Sequence, residues 1–292
     1  MRKGKYIPEG IDFCHIMPTA FLNTWGMKYN TQLVLAHLVE QDKEYANFFS
    51  RYNNTKILDN SAFEMFKTGQ PMYESDKLIE MGKKVNADYI VMSDYPDQDP
   101  SVTIKAAEEL APKFKDEGFG TFFCPQSKIG DLQGLVSAFA WAATSSLVDY
   151  IGFSILNIPN AYGVEKNNNL QRYLSRLKFV KELDKIGVLD MIVENGKKIH
   201  FLGMVDGPNE IELMEYNGYS ECIDTWDSSA AVWYGLNGIR FDSSPTGAVN
   251  GKFEKEVDFN QKQGDKEAVE YNLAFIDKLC GEVNAKEYRF ND

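Results

Sequence analysis

The sequence contains little cysteine and histidine, the residues on which disulfide and most zinc chemistry depends. It has 4 cysteines and 3 histidines among 292 residues. The cysteines stand singly, with no CxxC pair, at Cys14, Cys124, Cys222 and Cys280. This spacing fits reduced, buried thiols and argues against disulfides and a cysteine-built zinc site. The few histidines also leave little room for a metal centre or a Ser-His catalytic pair.

A long apolar run is missing as well. No stretch approaches the ~18 apolar residues that a membrane span needs. The first residues, MRKGKYIPEG, lack the apolar segment of a signal peptide. We therefore expect a cytoplasmic protein without a membrane partner.

The chain has no excess of positive charge. Its net charge of −12 argues against a protein whose whole surface attracts nucleic acid, although net charge describes an average field and not one face. The clearest basic segment is KNNNLQRYLSRLKFVK at 166–181, which contains no acid. Its cations are Lys166, Arg172, Arg176, Lys178 and Lys181. The sequence leaves open whether this is a solvated helix face or a phosphate-contacting one.

What the chain does contain is a regular alternation of short apolar runs with amphipathic segments. The runs that predict strands are 11–17, 56–58, 88–93, 120–124, 149–153, 199–204, 221–226 and 238–241. The segments that predict the following helices are 31–51, 74–85, 102–117, 129–145, 168–186, 209–217, 228–234 and 265–280. Continuously apolar strands followed by helices are typical of parallel sheets buried on both faces.

Eight such strand–helix units predict a (β/α)₈ TIM barrel, an α/β fold, in a single domain spanning residues 1–292. With 43% hydrophobic residues the chain can fill such a core. An open doubly wound sheet is the alternative, but no GxGxxG motif follows the first strand. Two insertions, a loop at 157–167 and a predicted β-hairpin at 243–259, would lie over the C-terminal face of the barrel.

A barrel brings together the residues at the C-terminal ends of its strands, where active sites lie. The predicted ends are His15, Asp59, Asp94, Gln126, Gly152–Ser154, Gly203–Met204 and Asp227. One Asp at such an end is typically a helix cap, whereas three Asp and a Gln around one mouth favour a functional site. Carboxylates in this arrangement suit glycosyl transfer, with one Asp as nucleophile and another as acid/base, or a hard-metal site.

Asp227 can be interpreted either as a helix cap or as a catalytic group. It follows a short apolar run and precedes a helix predicted to start near Ala230, so the local sequence favours an N-cap. The convergence of strand ends favours catalysis, and one carboxylate could serve both roles. We expect the remaining histidines, His37 in a predicted helix and His200 inside a predicted strand, to be structural.

Six segments between Leu58 and Phe241 resemble the tRNA-guanine transglycosylases, in the family's own order. LDNSAFE at 58–64 resembles the family's DSGAFQ, and DYIVMSDYP at 88–96 resembles its third-strand segment ending in Asp. CPQSK at 124–128 is similar to VQGG through Gln126, and YIGFSIL at 150–156 to YAIGGL. IHFLGMVDGPNEI at 199–211 resembles HLFGxGxP, and the stretch 224–241, which begins DTWDSSA, resembles the archaeal DLFDSAS stretch.

The resemblance implies base exchange through a covalent sugar ester. Asp227 would be the nucleophile, and Asp59 would move the proton on the leaving or incoming base. Asp224, three residues before Asp227, is the competing nucleophile, for which we expect a structural role. The base would be read or stacked by Asp94, Gln126, the backbone of Gly152, Phe153 and Ser154, the ring of Phe63, Gly203, and Met204 or Leu202.

Departures from the family indicate which of its branches the chain resembles most. The family's CxCxxC zinc site has no counterpart after Asp227, and we expect neither a metal nor another cofactor. We expect no counterpart of the archaeal RNA-binding modules either, and Ser61 and Glu64 stand where the family has Gly and Gln. The chain looks most like the short, zinc-free phage-type enzymes that place 7-deazaguanines in DNA, which would act in the host cytoplasm.

The sequence therefore predicts a pentosyltransferase that exchanges guanine in DNA for a 7-deazaguanine base such as 7-cyano-7-deazaguanine. Three alternatives stay open: a tRNA-guanine transglycosylase, a non-catalytic nucleic-acid-binding subunit, and an unrelated barrel glycosidase. The oligomeric state, including a homodimer, also stays open.

Overall fold

A computed structural model of the chain describes residues 10–204, 208–241 and 257–283. Its strands are β1 (Asp12–His15), β2 (Thr31–Leu35), β3 (Thr55–Asp59), β4 (Tyr89–Val91), β5 (Gly120–Phe123), β6 (Tyr150–Ser154), β7 (Lys198–Leu202) and β8 (Thr225–Ser228). All pairings are parallel, in the order β1-β8-β7-β6-β5-β4-β3-β2. β1 and β2 lie side by side where the sheet meets itself, and there the Thr31 hydroxyl donates to Asp12 Oδ2 at 3.2 Å.

Helices alternate with these strands. They are α1 (Ala36–Gln41), α2 (Lys43–Arg51), α3 (Ala62–Thr68), α4 (Ser75–Val85), α5 (Pro100–Asp116), α6 (Leu132–Thr144), α7 (Asn157–Ala161), α8 (Asn169–Lys185), α9 (Val188–Glu194), α10 (Asn209–Tyr216), α11 (Ala230–Leu236) and α12 (Lys266–Val283). A nearly closed sheet of eight parallel strands alternating with helices confirms the predicted (β/α)₈ barrel. Within the described ranges, no helix is both long and apolar enough to cross a membrane.

The core has two layers because successive strand residues point to opposite faces of the sheet. Side chains that point inward fill the barrel itself: Cys14, Leu33, Ile57, Val91, Phe122 and Tyr150. Side chains that point outward pack against the helices, among them Phe13, Leu58, Ile90, Phe153, Phe201 and Trp226. The same alternation decides which residues at the strand ends can reach the mouth.

The prediction of helix over all of 31–51 was wrong at its start. Residues Thr31–Leu35 form β2, all five are buried, and the helix begins only at Ala36. The segment TQLVLAHLV has apolar residues at helical spacing, which concealed the strand. Pairing with β3 from Thr31 to Leu35 supplies backbone partners on one edge, and burial on both faces favours the strand.

The predicted strand at 238–241 is also wrong. Gly238 has φ +75°, and the following residues run across α12, where Phe241 N donates to the Asn272 side-chain oxygen at 2.9 Å. Phe241 is fully buried, so its apolar character reflects packing between helices and not a sheet position. The sequence prediction omitted β2 and included a strand at 238–241 that does not form, so the predicted number of eight strands still agrees with the structure.

The two predicted insertions differ in outcome. The loop at 157–167 contains a short helix, α7, and the predicted hairpin at 243–259 lies almost entirely outside the described residues. The basic segment at 166–181 lies mainly on α8, where Lys178 and Lys181 are exposed but Arg176 is fully buried. Arg176 therefore faces the core and cannot contact a phosphate at the surface.

Candidate active site

The predicted strand-end acids converge at the C-terminal mouth of the barrel. Asp59 ends β3, Asp94 and Gln126 follow β4 and β5, and Asp227 lies in β8. Asp94, Gln126 and Asp227 are buried, with 4%, 4% and 5% of their surface exposed. Desolvation raises the pKa of Asp59, and the nearby charges of Glu64, Asp94 and Asp227 raise it further.

The Asp227 carboxylate is held by two donors at the end of β7. Its Oδ1 accepts from His200 Nε2 at 2.9 Å and from the backbone N–H of Gly203 at 3.0 Å. Helix α11 starts at Ala230 as predicted, but its first free N–H donates to the Ser228 hydroxyl at 3.0 Å. The suggestion that Asp227 also caps this helix was wrong, because its carboxylate is turned into the mouth.

His200 is a site residue that sequence reasoning missed. It is fully buried, as a core histidine would be, but its ring links Asp227 to Thr225. The Thr225 hydroxyl lies 2.6 Å from Nδ1, so a neutral ring that donates from Nε2 accepts this hydroxyl proton at Nδ1. The sequence carried no signal for this contact, because it depends on the register of two strands: β7 and β8 pair with His200 opposite Thr225, which puts Asp227 on the same inward face.

Asp59 is held at the mouth by the turn that follows β3. Its Oδ2 accepts from the Ser61 N–H at 2.9 Å. Desolvation raises the pKa of Asp59 well above its ordinary value, and the negative charge of Glu64 raises it further. Asp59 therefore keeps its proton at a higher pH than an exposed aspartate does.

Ser61 lies in the turn after β3 in a backbone conformation that favours glycine. It adopts φ 57° and ψ 32°, a left-handed conformation that is costly for residues other than glycine. Its hydroxyl accepts from the backbone N–H of His37 at 3.2 Å and lies 2.9 Å from His37 Nδ1. These bonds compensate the strained turn and give His37 the structural role that was predicted.

Asp94 is enclosed by amide donors. Asn60 Nδ2 donates to its Oδ1 at 2.8 Å, and Gln126 Nε2 donates to its Oδ2. Burial raises the pKa of Asp94, although the bonds from Asn60, Gln126 and Cys124 partly oppose this. Asn60 also donates to the Met92 carbonyl at 2.7 Å. Asn60 is a second residue that the sequence did not single out, and it fixes Asp94 relative to β4.

Glu64 adds a further carboxylate near the two proposed catalytic acids. It lies in the first turn of α3 and is half-buried. Desolvation raises its pKa, and the charge of Asp227 raises it further. Glu64 thus interacts electrostatically with both acids, because the charge of Asp227 raises the pKa of Glu64 and the charge of Glu64 raises the pKa of Asp59.

The predicted base-contacting residues after β6 separate into two groups. Gly152 faces the barrel interior, where a Cβ would lie 2.7 Å from Phe122 Cε2 and 2.8 Å from Leu202 Cδ1. Ser154 is 9% exposed, and its hydroxyl accepts from backbone N–H groups at the start of α7. Phe153 points away from the mouth and stacks on Phe201, with ring centroids 5.1 Å apart.

The remaining predicted residues flank the mouth or leave it. Phe63 is 53% exposed on α3, and Met204 is partly buried just after β7. The His15 ring points outward, where Nε2 lies 3.4 Å from Asp277 Oδ1 of α12. The structure therefore brings Asp59, Asp94, Gln126 and Asp227 together and excludes the rings of Phe153 and His15.

Asp224, the competing nucleophile, lies before β8 at the opposite end of the barrel from the mouth. Its Oδ2 accepts from the Ile199 N–H at 2.8 Å, near the start of β7. Its Oδ1 is buried and has no hydrogen-bond partner. Burial raises the pKa of Asp224 from the ordinary 3.8 to about 6. This placement supports a structural role.

We expect Asp224 to make the stability of the protein depend on pH. Because its pKa is raised in the folded state, its contribution to stability is fully present below about pH 4 and is lost as pH rises through about 6. A pKa raised from 3.8 to about 6 corresponds to about 3 kcal/mol in the free energy of unfolding. Asp224→Asn should remove this loss, as measured by urea unfolding at about pH 4 and pH 7. An unchanged pH slope in the variant would contradict the assignment.

Among the residues that the structure describes, no group of three or more His, Cys, Asp or Glu side chains is arranged to hold a metal ion. No family model matches the chain, and no curated protein matches it. The fold and the site define the class of protein: it is a (β/α)₈ barrel with four acids at its C-terminal mouth, Asp59, Glu64, Asp94 and Asp227.

Proposed function

We propose that the chain is a nucleic-acid guanine transglycosylase that exchanges guanine, in DNA, for a 7-deazaguanine base. One observation carries this proposal: two carboxylates with different environments meet at the mouth. Asp227 is oriented by two hydrogen-bond donors, whereas the pKa of Asp59 is raised by desolvation and by neighbouring acids. Pairs of acids in contrasting environments are typical of glycosyl transfer, where one ionised and one protonated carboxyl group are needed.

In the first step an oxygen of the Asp227 carboxylate forms a bond to the anomeric carbon of a deoxyguanosine, and the bond from that carbon to guanine breaks. The electron pair of the broken bond leaves with guanine, and the protonated Asp59 donates a proton to the leaving base. The hydrogen bonds from His200 and Gly203 hold the attacking carboxylate in one orientation before the reaction.

In the second step the 7-deazaguanine base occupies the vacated pocket. Asp59, now ionised, accepts the proton from the ring nitrogen of the incoming base, and that nitrogen forms a bond to the anomeric carbon. The ester bond to Asp227 breaks and the carboxylate is restored. Two displacements at the same carbon retain its configuration.

Recognition of the base depends on the groups around Asp94. A guanine-type edge presents N–H donors, for which a carboxylate is a suitable acceptor, and Asn60 and Gln126 fix the Asp94 carboxylate from two sides. Phe63 and Met204 would supply apolar contacts to the ring faces, and their partial exposure leaves them accessible. The target base must leave its stack to reach this pocket.

Incubation with labelled guanine tests the reaction and its substrate together. We expect duplex DNA to take up label from guanine and tRNA to take up none, with Asp227→Asn as the matched inactive control. Uptake by tRNA alone would make the protein a tRNA enzyme of the same chemistry. A nucleic-acid complex without label in either substrate would indicate a non-catalytic subunit, and a covalent adduct formed only with a saccharide would indicate a glycosidase.

A further inference from the structure

Behind the mouth lies a fully buried ion pair between α8 and α10. Arg176 Nε donates to Glu210 Oε1 at 2.6 Å, and Nη2 donates to Oε2 at 2.5 Å. Both side chains are completely inaccessible to solvent. Burial raises the pKa of Glu210, and the charge of Arg176 opposes this.

The rest of the guanidinium binds the backbone where β6 and β7 end. Nη1 donates to the carbonyls of Phe153 at 2.9 Å and Leu202 at 3.0 Å, and Nη2 donates to the carbonyl of Gly203 at 2.8 Å. With the two bonds to Glu210, all five guanidinium N–H donors are used. Only arginine presents five donors in one rigid plane, so lysine cannot reproduce this arrangement.

The Leu202–Gly203 peptide unit connects this ion pair to Asp227. Its carbonyl, that of Leu202, accepts from Arg176 Nη1 at 3.0 Å, while its N–H, that of Gly203, donates to Asp227 Oδ1 at 3.0 Å. The next carbonyl, that of Gly203, accepts from Arg176 Nη2 and from Trp226 Nε1 at 2.9 Å. Gly203 has φ +73°, and a Cβ there would lie 2.8 Å from Ile155 Cγ2. Both the backbone conformation and the close contact require glycine at position 203. The hydrogen bonds on both sides hold the Leu202–Gly203 peptide in one orientation.

We propose that Arg176 and Glu210 are a positioning pair that sets the orientation of the Asp227 carboxylate through the Leu202–Gly203 peptide. A buried ion pair is a costly way to stabilise a fold, since apolar side chains of similar volume often serve as well. Here the charges are directed at the backbone that supports the nucleophile. The kinetic part of this inference rests on the proposed base exchange.

Arg176→Lys tests the pair kinetically. Lysine keeps the charge but loses the planar set of donors, so kcat for base exchange should fall about 100-fold, the effect of a misplacement near 1 Å. KM for the nucleic acid should change little, because Arg176 is buried and touches no substrate. Lys185→Gln is the matched control, since Lys185 is an exposed cation on the same helix outside the basic segment 166–181, and it should exchange guanine at the wild-type rate.

Glu210→Gln is the second variant, used if Arg176→Lys does not fold. It preserves shape and one acceptor, so we expect a smaller fall in kcat, about 10-fold. A purely structural pair would lower the unfolding temperature of either variant while leaving kcat per folded molecule unchanged. That result would overturn the inference.

A measurement independent of catalysis separates this inference from the proposed function. The chain has 3 histidines, so the proton on His200 Nε2 can be followed by NMR after selective ¹⁵N-histidine labelling. We expect this resonance to shift in Arg176→Lys or Glu210→Gln and to stay in place in Lys185→Gln. If the wild-type protein exchanges no guanine but the resonance shifts in the two variants, the proposed reaction is disproved and the positioning pair is supported. An unshifted resonance in a folded variant would disprove the pair.

Discussion

Asp227→Asn should abolish base exchange, with kcat reduced on the order of 10⁴-fold or more, as is typical when a catalytic nucleophile is removed. An amide oxygen is too weak a nucleophile to form the sugar ester. The fold should persist, because the Asn oxygen can still accept from His200 and Gly203. We expect the free energy of unfolding to change by less than about 1 kcal/mol, as for a substitution that keeps shape and partners.

Covalent trapping supplies the measurement. The wild-type protein incubated with substrate and then denatured should carry a sugar ester on one peptide, and Asp227→Asn should carry none. Asp224→Asn is the matched control, since it changes an acid three residues away at the other end of the barrel. It should exchange guanine normally. Turnover of Asp227→Asn at the wild-type rate would remove this residue as the nucleophile.

Asp59→Asn should lower base exchange by about 10²- to 10⁴-fold, the usual contribution of a general acid or base. Asparagine can accept the Ser61 N–H but cannot deliver a proton to the leaving guanine. The ester on Asp227 should therefore form slowly, even with nucleic acid bound normally. A fully active Asp59→Asn protein would disprove the acid/base role.

The pH dependence of this step follows from the environment of Asp59. Its pKa is raised by desolvation first and then by the charge of Glu64, so the protonated, active form persists above the range of an ordinary aspartate. The rate of ester formation should fall as pH rises through this raised pKa. Glu64→Gln removes one negative charge and should move the fall to lower pH. A profile identical to that of the wild-type protein would contradict the assignment.

The barrel could be predicted because its main determinant is periodic. Continuous apolar runs and amphipathic helical segments repeat along the chain, and each is set by residues close in sequence. Two segments were predicted wrongly, and the reason is physical. Residues 31–35 carry a helical pattern but pair with β3, and residues 238–241 carry a strand pattern but pack on α12. In both, contacts with distant segments overrode local preference.

The acids of the candidate site could be predicted by the same route. Parallel strands end at one face of a barrel, so Asp59, Asp94 and Asp227 had to approach one another once their strands were assigned. Their hydrogen bonds could not be predicted in this way. His200 contacts Asp227 across 27 residues, and Asn60 contacts Asp94 across 34. Such pairs depend on strand register and on which face each side chain takes.

The segment Glu221 to Phe241 shows the division clearly. Its sequence predicted a short strand and a helix that starts near Ala230, and both are present, but the strand lies at Thr225–Ser228 and not at 221–226 and includes two residues of the predicted polar turn. The sequence also determined that an acid, Asp227, precedes that helix. Only the tertiary structure decided that this acid is not a helix cap. β7 places a ring nitrogen and a backbone N–H within 3.0 Å of the carboxylate, and its charge is directed into the mouth. A buried carboxylate turns toward the donors that stabilise its charge, and the fold determines where they are.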